Sequence, residues 1–188
     1  MPLMVPPVAD ERAGLLGFLA QQRDALRIAA HGLTDAQAAA TPSASALSIG
    51  GLIKHVAGVE RYWMVQVVAR REVREVRPED YEASFRLLPG ETLAGALDAY
   101  AEAARETEAI VAAIADLGQP VPVPRDVPWF PRDVEAWSVR WVLLHLIEET
   151  ARHAGHADVI RESLDGATFY PLMAAAEGWS ADWLPRPD

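Results

Sequence analysis

Four stretches of this chain repeat their apolar residues at helical spacing, and no segment between them sustains the alternation of a half-buried strand, which restricts the fold to helices packed on helices. The first stretch runs from Asp10 to about His31, with Leu15, Leu16, Phe18, Leu19, Leu26 and Ile28 on its stripe and Arg23, Asp24 and Arg27 among the solvated positions. Gly32 is placed to end it. Ser48 opens a second helix, to about Glu72, and Thr92 a third, to about Asp116, stopped by Gly118-Gln-Pro. Ser138 caps a fourth, from Val139 to about Leu164, closed by Asp165-Gly166. The pattern predicts an all-α four-helix bundle.

The connections carry their own signals. Thr34 caps a short helical piece, and Thr41-Pro-Ser-Ala-Ser breaks it. The mixed, charged region from Val73 to Glu91 reads as a connection with about one turn of helix. Prolines recur from Pro120 to Pro131, so that stretch is a crossover with short extended pieces, which Trp129 and Phe130 are expected to pin to the bundle. The tail holds Trp179 and Trp183 and is expected to dock on the core, while Pro2, Pro6 and Pro7 predict an extended lead-in. With no repeat and no linker, residues 1–188 are expected to form a single domain, long enough to bury its core without disulfides or metal.

Composition excludes several functions. The chain has no cysteine, so disulfides, thiolate catalysis by the protein and Cys-based zinc fingers are ruled out, and any thiol in the chemistry comes from a small molecule. A formal net charge of −10 opposes nucleic-acid binding, which needs Lys and Arg gathered on a face. The start lacks a basic region and carries Asp10-Glu11 where a signal peptide would be apolar, and no window offers the ~18 apolar residues of a membrane span. The expectation is a cytoplasmic protein with a small-molecule substrate, without membrane or nucleic-acid partners.

Chemistry concentrates on the fourth helix. His145, Glu149, His153 and His156 fall within an arc of roughly 80° of one face and include three of the five histidines. Imidazole nitrogen and carboxylate oxygen are donors that Zn²⁺, Ni²⁺ or Fe²⁺ accept, and a spacing of four lets two converge on one ion. His145 with Glu149, Glu149 with His153 and His153 with His156 are all possible pairs, and periodicity does not choose among them. A polar face lining buried water is the alternative for any one of them. A bundle takes further donors from a facing helix, and His55, at the edge of the apolar stripe of helix two, is the candidate. Taken alone, such a histidine is more often a satisfied boundary residue.

Glu60 lies on the apolar arc of helix two, where a carboxylate is costly unless paired, and Arg140 or Arg152 on helix four could pair with it. A structural ion pair is favoured over a catalytic acid. His31 complements the C-terminal dipole of helix one.

The segments Ser48-Ile-Gly-Gly-Leu-Ile-Lys-His55-Val-Ala-Gly-Val-Glu-Arg-Tyr-Trp63 and Ser138-Val-Arg-Trp-Val-Leu-Leu-His-Leu-Ile-Glu-Glu149-Thr-Ala-Arg-His153-Ala-Gly-His156-Ala-Asp resemble the DinB-like superfamily, which includes the mycothiol-dependent maleylpyruvate isomerases. The likeness is nearest to an actinobacterial branch and covers nearly the whole chain. It implies a four-helix bundle, often a homodimer, with a divalent metal held by His55, Glu149 and His153. His156 then stands where relatives commonly carry Gln, behind the ligands or facing substrate, and His145 is one turn too early to be a ligand.

The resemblance further implies transfer or isomerisation by a low-molecular-weight thiol of the mycothiol type, acting on small electrophiles at a zinc or nickel ion. One alternative is hydrolysis by metal-activated water, with Glu148 or His156 as proton acceptor. The other is a non-catalytic, stress-related metal- or ligand-binding bundle.

Overall fold

The computed structural model describes residues 4–71, 78–125 and 127–180, the side chains of 78 and 79 excepted. Its helices are α1 (Glu11–Ala29), α2 (Asp35–Ala39), α3 (Ile49–Arg61), α4 (Pro78–Ser84), α5 (Leu93–Ala113), α6 (Val139–Asp165) and α7 (Phe169–Glu177). Antiparallel strands β1 (Pro120–Pro122) and β2 (Ala136–Ser138) pair within the crossover, Val121 opposite Trp137. The fold is thus an all-α bundle, in which α1 packs on α6, α3 on α5, and α3 also faces α6.

The helix starts follow from capping chemistry. The side chains of Asp10, Thr34, Ser48, Thr92 and Ser138 each accept a backbone N–H three residues on, satisfying donors that the first turn leaves free. Gly166 closes α6 at φ 76°, in the left-handed region that glycine enters without penalty. At the end of α1, Arg161 of α6 donates to the carbonyls of Ala29 and His31, both at 2.8 Å, so a buried guanidinium satisfies that terminus. A group from another helix thus completes this terminus, where His31, expected to complement the dipole, has an exposed side chain.

α3 continues as a π-helical stretch, Tyr62–Val68, in which the Ala69 amide reaches back five residues to the Met64 carbonyl. The wider turn changes the side-chain register, and Trp63, Met64, Val65 and Val67 are all buried, a broader face than an α-helical stripe presents. The expected end near Glu72 lies outside the described residues, but the helical run itself stops at Val68, and Arg70 adopts φ 53°. Periodicity carries no signature of a π turn, which is why the expected helix overran.

Two apolar cores stack along the bundle. One gathers Leu26, Ile49, Leu52, Ile53, Val56 and Ile160; the other gathers Leu19, Trp63, Met64, Val111, Leu143 and Leu146. Between them along every long helix sits a buried polar residue: Arg23 on α1, Glu60 on α3, Thr107 on α5 and Thr150 on α6. The Arg23 guanidinium donates to Glu60 through Nε to Oε2 (3.1 Å) and through a terminal nitrogen to Oε1 (2.5 Å), and the Thr107 hydroxyl donates to Oε1 at 2.6 Å.

This corrects the expected partners of Glu60. Arg140 instead pairs with Glu11 on the surface, Arg152 is exposed, and Arg23, expected among solvated positions, is 6 % exposed. Packing on two sides of α1 encloses a position that a single-helix stripe leaves at the border.

In the crossover, Phe130 packs between Trp63 and Trp137, at ring distances of 5.5 and 5.2 Å. Trp129 is 74 % exposed and takes no part in the pinning, which falls to Phe130 together with the buried Val121 and Val123. The tail docks through α7, whose Leu172 and Met173 join Ile28; Trp179 is exposed, and Trp183, like Pro2, lies outside the described residues. A groove of about 330 Å³ runs between α1, α6 and α7, lined by Gln22, Ala25, Ala151, Gly155, Asp158 and Phe169. Burial first, and then the charge of Glu162, pushes the Asp158 carboxyl up to about 6.

Two outcomes follow from these groups. Glu60→Gln leaves the buried Arg23 charge with only the exposed Glu108 carboxylate, 3.5 Å away, as counter-ion and lowers the unfolding free energy by about 3 kcal/mol in urea titration. A loss under 1 kcal/mol contradicts the polar-layer account. Because the Asp158 carboxyl is raised, its ionisation opposes folding above about pH 6 and costs nothing once it is protonated in both states near pH 3. Asp158→Asn is therefore more stable than the parent at pH 7–8, and the difference closes on acidification.

Candidate metal centre

α3 presents His55 toward α6, five residues before Glu60, and buries its ring. The ring stacks on Phe85 (3.8 Å, 22°) and meets Tyr81 edge-on at 5.9 Å, both from the segment formed by α4 and the residues after it. His55 Nδ1 lies 2.9 Å from the Ser84 hydroxyl, which donates to the Tyr81 carbonyl at 2.6 Å.

That segment reaches His55 because α3 begins Ile49-Gly50-Gly51. A Cβ on Gly51 would overlap the Phe85 carbonyl, and one on Gly50 would crowd the Leu87 side chain. Lys54 adds a tie one turn later, donating to Glu91 and, at 3.3 Å, to the Arg86 carbonyl.

α6 supplies the other half. Glu149 and His153 stand one turn apart, with His153 Nε2 3.1 Å from Glu149 Oε1. His55 Nε2 lies 3.5 Å from the same oxygen, and the His55 and His153 rings meet edge-on at 5.1 Å. One donor atom from each of the three residues falls within 4.8 Å of the others. Hydrogen bonding from His153 holds the Glu149 carboxyl well below the usual carboxylate range against the opposing effect of burial.

The donor set fits a divalent cation. Its chemistry is two imidazole nitrogens and one carboxylate oxygen, and the separations of 3.1 and 3.5 Å from Glu149 bracket the roughly 3.4 Å between ligands of a tetrahedral ion with bonds near 2.1 Å. Among the described residues no lysine or arginine pairs with Glu149, so the half-buried carboxylate has only imidazoles for company. Three protein donors leave positions open, as catalytic metal sites do.

The remaining sequence candidates lie around this triplet. The His156 ring is 5.7 Å from that of His153, and the Nδ1 atoms of both are buried without a hydrogen-bond partner. Glu148 is exposed, 3.6 Å from His145, and does not join the triplet. His145 is half-buried, stacked on Trp141 (5.4 Å, 16°) with Trp63 at its edge. Sequence reading missed Tyr81, Ser84 and Phe85, whose charged surroundings show no pattern; the paired glycines opening α3 were the available signal.

Residues 14–166 match the family model described as mycothiol-S-transferase. No curated protein matches. Among solved structures, a conserved protein of Enterococcus faecalis superposes with a TM-score of 0.61 at 14 % identity, over 85 % of this chain and 100 % of that one, a likeness of fold.

The close approach at Gly51 makes a sharp prediction. In an open helix Gly→Ala stabilises by up to about 1 kcal/mol. Here Gly51→Ala meets backbone and lowers the melting temperature instead, while Gly58→Ala, whose Cβ meets nothing within 4 Å, raises it or leaves it unchanged.

Proposed function

The chain belongs to the mycothiol-S-transferase family of DinB-like proteins, and from that premise we propose that it transfers a low-molecular-weight thiol to a small electrophile at a divalent ion held by His55, Glu149 and His153. The observation that supports this most is the convergence of His55 Nε2 and His153 Nε2 on one oxygen of Glu149, with no cationic side chain beside it among the described residues. The ion is zinc or nickel in this reading, both of which suit mixed imidazole and carboxylate donors.

When bound, such an ion favours the thiolate form of a thiol near neutral pH. The chain's own residues supply the rest. Glu149 stays ionised and brings one negative charge, leaving a net positive centre with a dication. Phe85 and Tyr81 wall the His55 side, where they exclude water from the imidazole. His156, with an unpartnered Nδ1 one turn beyond His153, accepts the proton that the thiol loses. The sulfur electron pair then forms the carbon–sulfur bond as the electrophile's own bonding pair leaves with the departing group or, in an addition, moves to the neighbouring atom; the group that receives this pair takes up the proton from His156. Because the chain has no cysteine, the sulfur belongs wholly to the co-substrate.

For hydrolysis only His156 remains as proton acceptor, because Glu148 stands with His145 and not with the triplet, and the family match supports the thiol route instead. His55→Ala and His153→Ala each lose stoichiometric metal by elemental analysis, whereas His145→Ala retains it. Full metal content in the His55 variant contradicts the ligand assignment. The metal-loaded protein consumes mycothiol in the presence of an electrophile, and a chelator stops it. Turnover of model esters without thiol supports hydrolysis instead, and neither activity leaves a binding protein.

A further inference from the structure

One hydroxyl outside the triplet decides which nitrogen His55 can offer. The Ser84 hydroxyl has a single hydrogen, and its contact with the Tyr81 carbonyl, 2.6 Å, requires that hydrogen, because two lone pairs at that distance would repel. Toward His55 Nδ1, 2.9 Å away, Ser84 can then only accept. In the neutral ring Nδ1 therefore carries the proton, and Nε2, 3.5 Å from Glu149, keeps its lone pair. A neutral imidazole left free in water favours neither arrangement strongly enough to hold one, so the choice is made by α4, which belongs to neither metal-bearing helix.

The same contact is under steric control. Gly50 and Gly51 let the backbone at Phe85 and the side chain of Leu87 lie directly on α3, and Lys54 holds Arg86 and Glu91 from the next turn. Ser84 thus reaches His55 through a docked segment, not through a mobile side chain on the same helix. His153 differs, since its Nδ1 is buried without a partner. The two imidazoles of the site are unequal: Ser84 places the His55 proton on Nδ1, whereas His153 donates from Nε2 to Glu149 and leaves its Nδ1 without a partner.

We propose that Ser84 is a positioning residue that fixes His55 as the Nδ1-protonated tautomer and so presents the Nε2 lone pair to the metal, which ties metal affinity to the docking of the segment from α4 to Leu87. The consequence for the ion rests on the metal reading above; the tautomer does not. By linkage, whatever tightens the ion tightens the segment, and the reverse. An outer hydrogen-bond partner of a ligating histidine typically carries a factor of roughly 10–100 in metal affinity.

The test uses the whole protein and zinc as the probe. In the metal-free parent, ¹⁵N-detected NMR of His55 shows a protonated Nδ1 hydrogen-bonded to Ser84; in Ser84→Ala that preference for Nδ1 is lost, and in Ser84→Thr it returns. Zinc affinity by competition with a chromophoric chelator falls by roughly 10–100-fold in Ser84→Ala and recovers in Ser84→Thr. Zinc also slows amide exchange at residues 84–87 in the parent, and less so in Ser84→Ala, with unchanged helical circular dichroism as the control for folding. Unaltered His55 tautomer in Ser84→Ala overturns the proposal, as does zinc affinity within twofold of the parent. If the parent itself binds no zinc, the metal reading and the affinity link fall together, while the tautomer measurement still decides what Ser84 does.

Discussion

The Glu60 carboxylate, 2 % exposed, is bonded from two other helices at once, and the orientation of α3 depends on it. A charge in an apolar interior is tolerated only where its partners stand in place, so Arg23 and Thr107 admit very few rotations of α3 about its axis. The apolar residues above and below are less demanding, because Leu, Ile and Val fill space without direction. The polar layer thereby supplies the specificity that two stacked apolar cores lack, and it is the reason His55, on the same helix, faces α6.

From that layer the site is assembled by short steps. α6 carries Glu149 and His153 on one face, and α3 brings His55 across to them. The glycines at the start of α3 then admit the chain around Phe85, which shields one face of His55 and sets Ser84 against its Nδ1. The negative charge of Glu149 is held by a hydrogen bond from His153, and removing that ring leaves the carboxylate without its donor in a half-buried setting. The bundle supports the donors, and no part of its hydrophobic packing requires an ion.

Most of the long helices were legible, because caps at Asp10, Ser48, Thr92 and Ser138 and apolar periodicity are local signals. The Glu149 and His153 pair was legible in that way only as one of three possible one-turn pairs on the same face. Arg23 was not, because whether a border position is enclosed depends on two neighbouring helices that a single wheel does not contain. Ser84 was invisible for a different reason: its role comes from a contact 29 residues away in sequence, across a region without period. The π turn at Tyr62 likewise leaves no compositional mark, though it changes which side chains after Arg61 face the core. Family likeness selected His55, Glu149 and His153 from several possible sets, and their donor atoms do converge in the structure.

The central claim is that these three donors hold an ion with room for a thiol sulfur. X-ray absorption at the metal edge of the zinc-loaded protein tests it most directly, with and without the thiol. The account predicts a first shell of nitrogen and oxygen at about 2.0–2.1 Å containing two imidazoles, and a new sulfur scatterer near 2.3 Å once thiol is added. A shell without imidazole, or one that saturating thiol leaves unchanged, contradicts it.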